Sequence, residues 1–135
     1  MQFQRQAMMI RTLAIGFILF IIAMVVIADR GEGGHWWPFL SSIPFGDKVG
    51  HVGLSGTLSL LCNLAFPSRR RCGWMTKTTV VLLAIISLEE LSQVFIPGRT
   101  PDFVDWLADL LGIACGQMLA LVMLRRLRPS PMELL

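Results

Sequence analysis

Polar side chains, most of them ionisable, recur at helical spacing in three apolar stretches of the chain. They form three pairs, each three or four residues apart, namely Asp47 and His51, Glu90 and Gln93, and Asp105 and Asp109. Residues at these intervals share one face of an α-helix. Carboxylates beside a histidine can hold a cation or accept and return a proton, which is the basis of acid–base catalysis. The spacing therefore predicts one polar face on each of three helices.

The elements that carry these pairs have the composition of a membrane protein. The 135 residues are 54% hydrophobic and only 16% charged, with a mean hydropathy of +0.64, whereas soluble domains carry about 25% charged residues. This balance excludes a disordered chain and a disulfide-rich secreted mini-protein. Cys62, Cys72 and Cys115 lack zinc-ligand spacing, and the absence of a basic stripe with interleaved aromatics argues against nucleic-acid binding.

Four stretches approach the length of about 20 apolar residues that a spanning helix needs. They cover about residues 12–28, 49–66, 78–96 and 105–124. We therefore expect an all-α polytopic membrane protein, with residues 1–135 forming a single four-helix transmembrane bundle. The first stretch could instead be a signal peptide, but the residues before Asp29 make a poor cleavage site and favour a retained span.

The distribution of lysine and arginine predicts the orientation. In a four-span arrangement nine of these residues fall on one side and three on the other. The larger set is Arg5, Arg11, Arg69, Arg70, Arg71, Lys77, Arg125, Arg126 and Arg128, and the smaller set is Arg30, Lys48 and Arg99. Because positive loops stay inside, both termini are expected in the cytoplasm of a bacterial inner membrane. Trp36, Trp37 and Trp106 would then lie near the outer interface and Trp74 near the inner one.

The polar pairs lie at similar depths below the outer helix ends. At 1.5 Å per residue, His51 lies about 6 Å down, Glu90 about 10 Å and Asp109 about 12 Å. A charge at such depth costs about 2.5–3.5 kcal/mol, so the side chains must face each other or a wet cavity. Lys48 and Arg99 neutralise only two carboxylates. The others need a proton, His51 or a bound cation such as Mg²⁺ or Ca²⁺.

The sequence also indicates where helices end and which surfaces pack together. Asp47 is expected to cap the second helix, and Thr100 to cap the fourth helix ahead of Pro101. Gly112 and Gly116 form a GxxxG motif, for which packing inside the bundle is favoured over homodimerisation. We expect Asn63 and Gln117 to form hydrogen bonds within the bundle.

Residues 47–116 resemble the VanZ-like family of small bacterial membrane proteins. The elements that carry the resemblance are Asp47, Lys48 and His51 as D-K-x-x-H, Glu90 and Gln93 as E-x-x-Q, the Phe95–Arg99 turn, the acidic pair Asp102 and Asp105, and the glycines Gly112 and Gly116. The family usually has Asn where this chain has Asp109, which adds a negative charge. The resemblance implies a role in the cell envelope, because the name-giving member is tied to tolerance of the glycopeptide teicoplanin.

Together these observations predict an outward-facing pocket that acts on or binds a lipid-linked or envelope substrate. The candidate catalytic residues are His51, Glu90 and Asp105, with His51 or Glu90 as general base. The candidate substrate-binding residues are Asp47, Lys48, Gln93, Arg99, Asp102 and Asp109. Lys48 and Arg99 could hold a phosphate or carboxylate. A non-catalytic binding protein and, with less support, a small transporter stay open, as does a polar network that only sets helix register.

Overall fold

A computed structural model describes residues 2–31, 43–68 and 71–126, apart from the side chains of Phe3 and Arg71. Four α-helices lie within these ranges: α1 (Gln2–Asp29), α2 (Gly46–Ala65), α3 (Lys77–Ser92) and α4 (Phe103–Arg126). A 3-10 turn, Gln93–Phe95, extends α3, and β1 (Arg71–Cys72) pairs antiparallel with β2 (Met75–Thr76). The mostly helical prediction is confirmed, and the β-hairpin was not predicted. Trp36, Trp37, Arg69, Arg70 and Arg128 lie outside the described residues.

Three of the helices are long and apolar enough to cross a membrane. They are Gln4–Asp29, Lys77–Phe95 and Phe103–Arg126, with mean hydropathies of 2.7, 1.5 and 2.0. The chain is therefore a membrane protein. Helix α2 is not in this set, because its polar residues and its glycines lower its hydropathy. The same small residues let α2 pack closely against its neighbour.

Helices α2 and α4 pack with their backbones in near contact. A side chain at Gly112 would run into the Val52 carbonyl and the Ser55 hydroxyl, and one at Gly116 into the Gly56 carbonyl. Only glycine permits this approach, which is the known use of small residues between membrane helices. The GxxxG motif therefore serves packing within the chain, as predicted.

The helices alternate in direction, so one end of the bundle collects the end of α1, the start of α2, the turn after α3 and the start of α4. An ion pair between Asp29 and Arg99 marks this end. The small core lies deeper and contains Leu58, Cys62, Leu82 and Ile113. Many large apolar side chains point outward instead, which suits helices surrounded by lipid.

One predicted helix cap is confirmed in part, and the other is wrong. The residue before α2 is Phe45, which has a left-handed backbone (φ 60°) and gives no side-chain cap. The Asp47 carboxylate accepts a hydrogen bond from the Lys48 N–H at 2.9 Å, an early backbone N–H as predicted, but Asp47 lies inside the first turn and not before it. Helix α4 begins two residues after Pro101, because the Asp102 carboxylate accepts from the Val104 N–H at 2.8 Å and caps the helix in place of Thr100.

The far end of the bundle is closed by buried hydrogen bonds around the β-hairpin. Asn63 accepts from the Thr76 hydroxyl and donates to the Thr79 hydroxyl, at 2.5 and 3.1 Å. Gln117, which is fully buried, accepts from the Thr76 N–H at 2.9 Å and donates to the Trp74 carbonyl. The prediction that Asn63 and Gln117 form bundle hydrogen bonds is confirmed.

Candidate functional site

Lys48 binds three carboxylates from two elements of the bundle. Its Nζ lies 3.0 Å from Asp47 Oδ2, 2.7 Å from Asp102 Oδ2 and 2.5 Å from Asp105 Oδ1. The first turn of α2 presents Lys48 to the N-terminus of α4, where Asp102 and Asp105 lie on one face. The ammonium therefore joins the starts of two helices.

One turn deeper, His51 lies between two carboxylates of α4. Its Nδ1 is 3.1 Å from Asp109 Oδ2, which is hydrogen-bond distance, and its Nε2 is 3.8 Å from Asp105 Oδ1. The second distance is too long for a direct hydrogen bond. Asp109 can thus orient the ring, and Nε2 can meet one further polar group.

Glu90 joins α3 to the start of α4. Its Oε1 accepts from the Asp102 N–H at 2.6 Å, and its Oε2 accepts from Gln93 Nε2 at 3.1 Å. Glu90 and Gln93 are both buried. Because each carboxylate oxygen already has a donor within the protein, the Glu90 contacts position the N-terminus of α4.

Arg99 lies in the turn between α3 and α4 and pairs with two acidic residues. Its guanidinium is 3.6 Å from Glu89 Oε1 and 3.9 Å from Asp29 Oδ1. Glu89 also accepts from Gln93 Nε2 at 3.2 Å. Neither Asp29 nor Glu89 was among the predicted site residues. The position of Asp29 directly after an apolar span could have indicated a site residue. Its partner, Arg99, lies far along the chain, so the sequence did not show their pairing.

All nine predicted site residues fall in one continuous set of polar contacts, which we call the outer polar network. Its members are Asp29, Asp47, Lys48, His51, Glu89, Glu90, Gln93, Arg99, Asp102, Asp105 and Asp109. Their catalytic and binding roles stay predictions. The exposed fraction of the side chain falls from 64% at Asp47, 44% at Asp102 and 37% at His51 to 11% at Asp109. The network is therefore open at one edge and closed towards the bundle.

Negative charge dominates the outer polar network. Seven carboxylates face two permanent cations, Lys48 and Arg99, and both cations are already paired with carboxylates. The hydrogen bond from Lys48, followed by that from the Val104 N–H, holds the pKa of Asp102 below its ordinary value. Among the described residues, no group of three or more His, Cys, Asp or Glu is arranged to hold a metal ion. The candidate Mg²⁺ or Ca²⁺ therefore gains no geometric support from this part of the chain.

Comparison with known proteins gives the chain a family. No curated protein and no solved structure matches it. The family model described as VanZ/LLP1 matches residues 2–124, which include all four described helices up to the last turn of α4 and every residue of the outer polar network. The chain belongs to the VanZ/LLP1 family.

Proposed function

We propose that the protein binds a lipid-linked or envelope ligand through the outer polar network, at the outer face of a bacterial cytoplasmic membrane. The observation that carries this proposal is the partly exposed His51 ring, whose Nε2 has no partner within hydrogen-bond distance among the described residues. Ionisable groups within membrane-spanning bundles are rare and mark functional sites. An exposed edge next to buried carboxylates is suited to receive a polar ligand group.

The proposed orientation follows from charge. Arg5 and Arg11 belong to the starting half of α1, Lys77 starts α3, and Arg125 and Arg126 end α4. These residues gather at the end of the bundle opposite the outer polar network. Under the positive-inside rule this end is cytoplasmic, so both termini are inside and the network faces the periplasm or the exterior. Helix α2 then completes a four-span domain, with its polar face covered by α4.

Catalysis is the second candidate, and one contact favours it. The Asp109 carboxylate within 3.1 Å of His51 Nδ1 can hold the ring with Nε2 unprotonated, as a general base requires. Asp105 would then stabilise the protonated ring. Glu90 is a weaker candidate for the base, because both of its oxygens already accept hydrogen bonds.

A transporter is disfavoured by the far end of the bundle. Asn63, Thr76 and Gln117 are buried there and hydrogen-bonded to one another or to backbone. Satisfied polar groups of this kind rigidify a core. The outer polar network is therefore proposed to be a blind site.

The proposal is tested with purified protein in nanodiscs, titrated with lipid-linked cell-wall precursors and with teicoplanin. We expect saturable binding, weakened by at least about tenfold in His51→Gln because a hydrogen bond to a charged group contributes about 1.5–3 kcal/mol. Thr12→Ala is the matched control, since its hydroxyl bonds only to the Met8 carbonyl on α1. Ligand recovered unaltered supports binding, and a product that His51→Gln fails to form supports catalysis. No saturable binding of any of these ligands contradicts both.

A further inference from the structure

The end of the bundle opposite the outer polar network is positively charged. Its cations lie in the first half of α1, at the start of α3 and in the last turn of α4, and all five are exposed, namely Arg5, Arg11, Lys77, Arg125 and Arg126. We call this surface, together with the exposed Trp74 of the β-hairpin, the basic end. Every carboxylate in the described part of the chain belongs to the outer polar network instead. A partner that covers the basic end must therefore bring the negative charge.

The helices bring two of these cations to one level across the bundle. Phe17 of α1 packs against the core cluster that contains Leu82 of α3. Arg11 lies six residues before Phe17 and Lys77 five residues before Leu82, so they lie about 9 Å and about 8 Å from the core towards the same end. The 19 residues Lys77–Phe95 extend about 28 Å, close to the hydrocarbon thickness of about 30 Å. Arg11 and Lys77 therefore lie where the hydrocarbon meets the lipid headgroups.

Buried contacts hold the β-hairpin at this same level. Gln117, which is fully buried, accepts from the Thr76 N–H at 2.9 Å and donates to the Trp74 carbonyl at 3.3 Å. The Thr78 hydroxyl donates to the Phe66 carbonyl at 3.0 Å and joins the start of α3 to the end of α2. The indole of Trp74 is left outside these contacts, because the residue is 57% exposed. Exposed indoles settle at the boundary between hydrocarbon and headgroups.

The charge and the depth of the basic end fit one kind of partner. Arg125 and Arg126 lie eight and nine residues beyond Gln117, or about 12–14 Å farther along α4, so they extend past the hairpin into the headgroup region. Long basic side chains reach lipid phosphates from such helix ends. Clusters of about four to eight lysines and arginines beside a membrane helix attract anionic lipids, whereas a zwitterionic headgroup has no net charge to attract.

We propose that the basic end binds the headgroups of anionic phospholipids in the adjacent leaflet, with the Trp74 indole inserted at the same level. The inference goes beyond the proposed function, because it concerns the opposite end of the bundle and does not depend on the ligand of the outer polar network. Anionic lipid bound there holds the helix ends at a fixed depth in the bilayer.

Arg126 and Arg30 provide a matched pair of exposed arginines for the test. Arg126 belongs to the basic end, whereas Arg30 directly follows α1 at the end that carries the outer polar network. Wild-type protein, Arg126→Gln and Arg30→Gln are purified in detergent and titrated with phosphatidylglycerol or phosphatidylcholine. Bound lipid is measured by native mass spectrometry. Thermal unfolding in phosphatidylcholine nanodiscs checks the fold, and equal midpoints are expected there.

We expect wild-type protein and Arg30→Gln to bind phosphatidylglycerol in preference to phosphatidylcholine, and high salt to weaken that preference by screening. Arg126→Gln should bind phosphatidylglycerol about fivefold more weakly, since each cation near a lipid surface contributes about that factor. Equal binding of the two lipids by wild-type protein overturns the proposal and would indicate a different partner, such as an acidic protein. An equal loss in Arg30→Gln and Arg126→Gln also overturns it.

A dye attached to Cys72 measures the depth of the hairpin without removing any charge. Cys72 lies in β1 and is exposed, and in a Cys115→Ser variant the remaining thiol, Cys62, is buried. We expect lipids with a nitroxide on the headgroup to quench the dye more strongly than lipids with a nitroxide near the end of the acyl chain. Stronger quenching from the chain end would place the hairpin within the hydrocarbon and overturn the proposal.

Discussion

At the scale of single residues, the outer polar network depends on how each charge is paired. Lys48 is the only lysine within reach of the network among the described residues, and three carboxylates converge on it. Lysine and aspartate spacing predicted that these groups would meet, because helical periodicity places them on facing surfaces. The spacing of residues in the sequence could not show that the Glu90 carboxylate accepts a hydrogen bond from the Asp102 N–H. That contact depends on the path of the turn between α3 and α4.

Replacing Lys48 by methionine should destabilise the protein. The change leaves Asp47, Asp102 and Asp105 facing each other without their shared cation. Breaking a buried ion pair costs about 3–5 kcal/mol, and the partial exposure of this site reduces the expected loss to about 1–3 kcal/mol. Thermal unfolding in nanodiscs measures it. Lys77→Met, at the exposed start of α3, is the control. Equal unfolding midpoints for the two variants would show that the contacts of Lys48 do not stabilise the fold.

Asp102 should make stability depend on acid pH. Its folded-state pKa lies below the ordinary value of 3.8, so its ionised form stabilises the fold. That contribution is complete well above pH 3.8 and is lost as the pH falls through the lowered folded-state value. The difference in unfolding midpoint between wild-type protein and Asp102→Asn should therefore be largest near neutral pH and shrink below pH 3.8. A difference that stays constant from pH 7 to pH 3 would remove Asp102 from this role.

At the scale of elements, the contact between α2 and α4 positions the site, because Lys48 and His51 come from α2, whereas Asp105 and Asp109 come from α4 and Asp102 directly precedes it. The glycines that allow it were visible as a motif, and the hydrophobic periods predicted the helices. The β-hairpin at residues 71–76 was not predicted, since two-residue strands leave no periodic pattern. Asp29 was missed for a related reason: its pairing with Arg99 depends on where α1 ends in space.

Gly116→Ala should loosen this contact and the site with it. A Cβ there meets the Gly56 carbonyl and the backbone of Leu60, so the helices must separate. Overpacking of this kind costs about 1–3 kcal/mol, measured as a lower unfolding midpoint. Gly16→Ala meets nothing within 4 Å and should be neutral or slightly stabilising. Equal midpoints for the two variants would contradict the close approach of α2 and α4.

At the scale of the whole molecule, the two ends of the bundle differ in chemistry. One end carries the outer polar network, and the other carries buried, neutral hydrogen bonds with basic residues beyond them. The uneven distribution of charge along the sequence predicted this division, because alternating spans sort successive loops to opposite sides. The sequence could not establish which atoms of the network would be left for a ligand, since that depends on packing between helices that are distant in the chain.

The side of the membrane that the network faces is the most direct test of the account. Thr100, exposed in the turn beside the network, is replaced by cysteine in a Cys115→Ser background, which leaves exposed Cys72 at the far end and buried Cys62. A membrane-impermeant maleimide is applied to intact cells and to permeabilised cells. We predict that the cysteine at position 100 is labelled in intact cells and Cys72 only after permeabilisation. Labelling of Cys72 in intact cells, with position 100 protected until permeabilisation, would contradict the account.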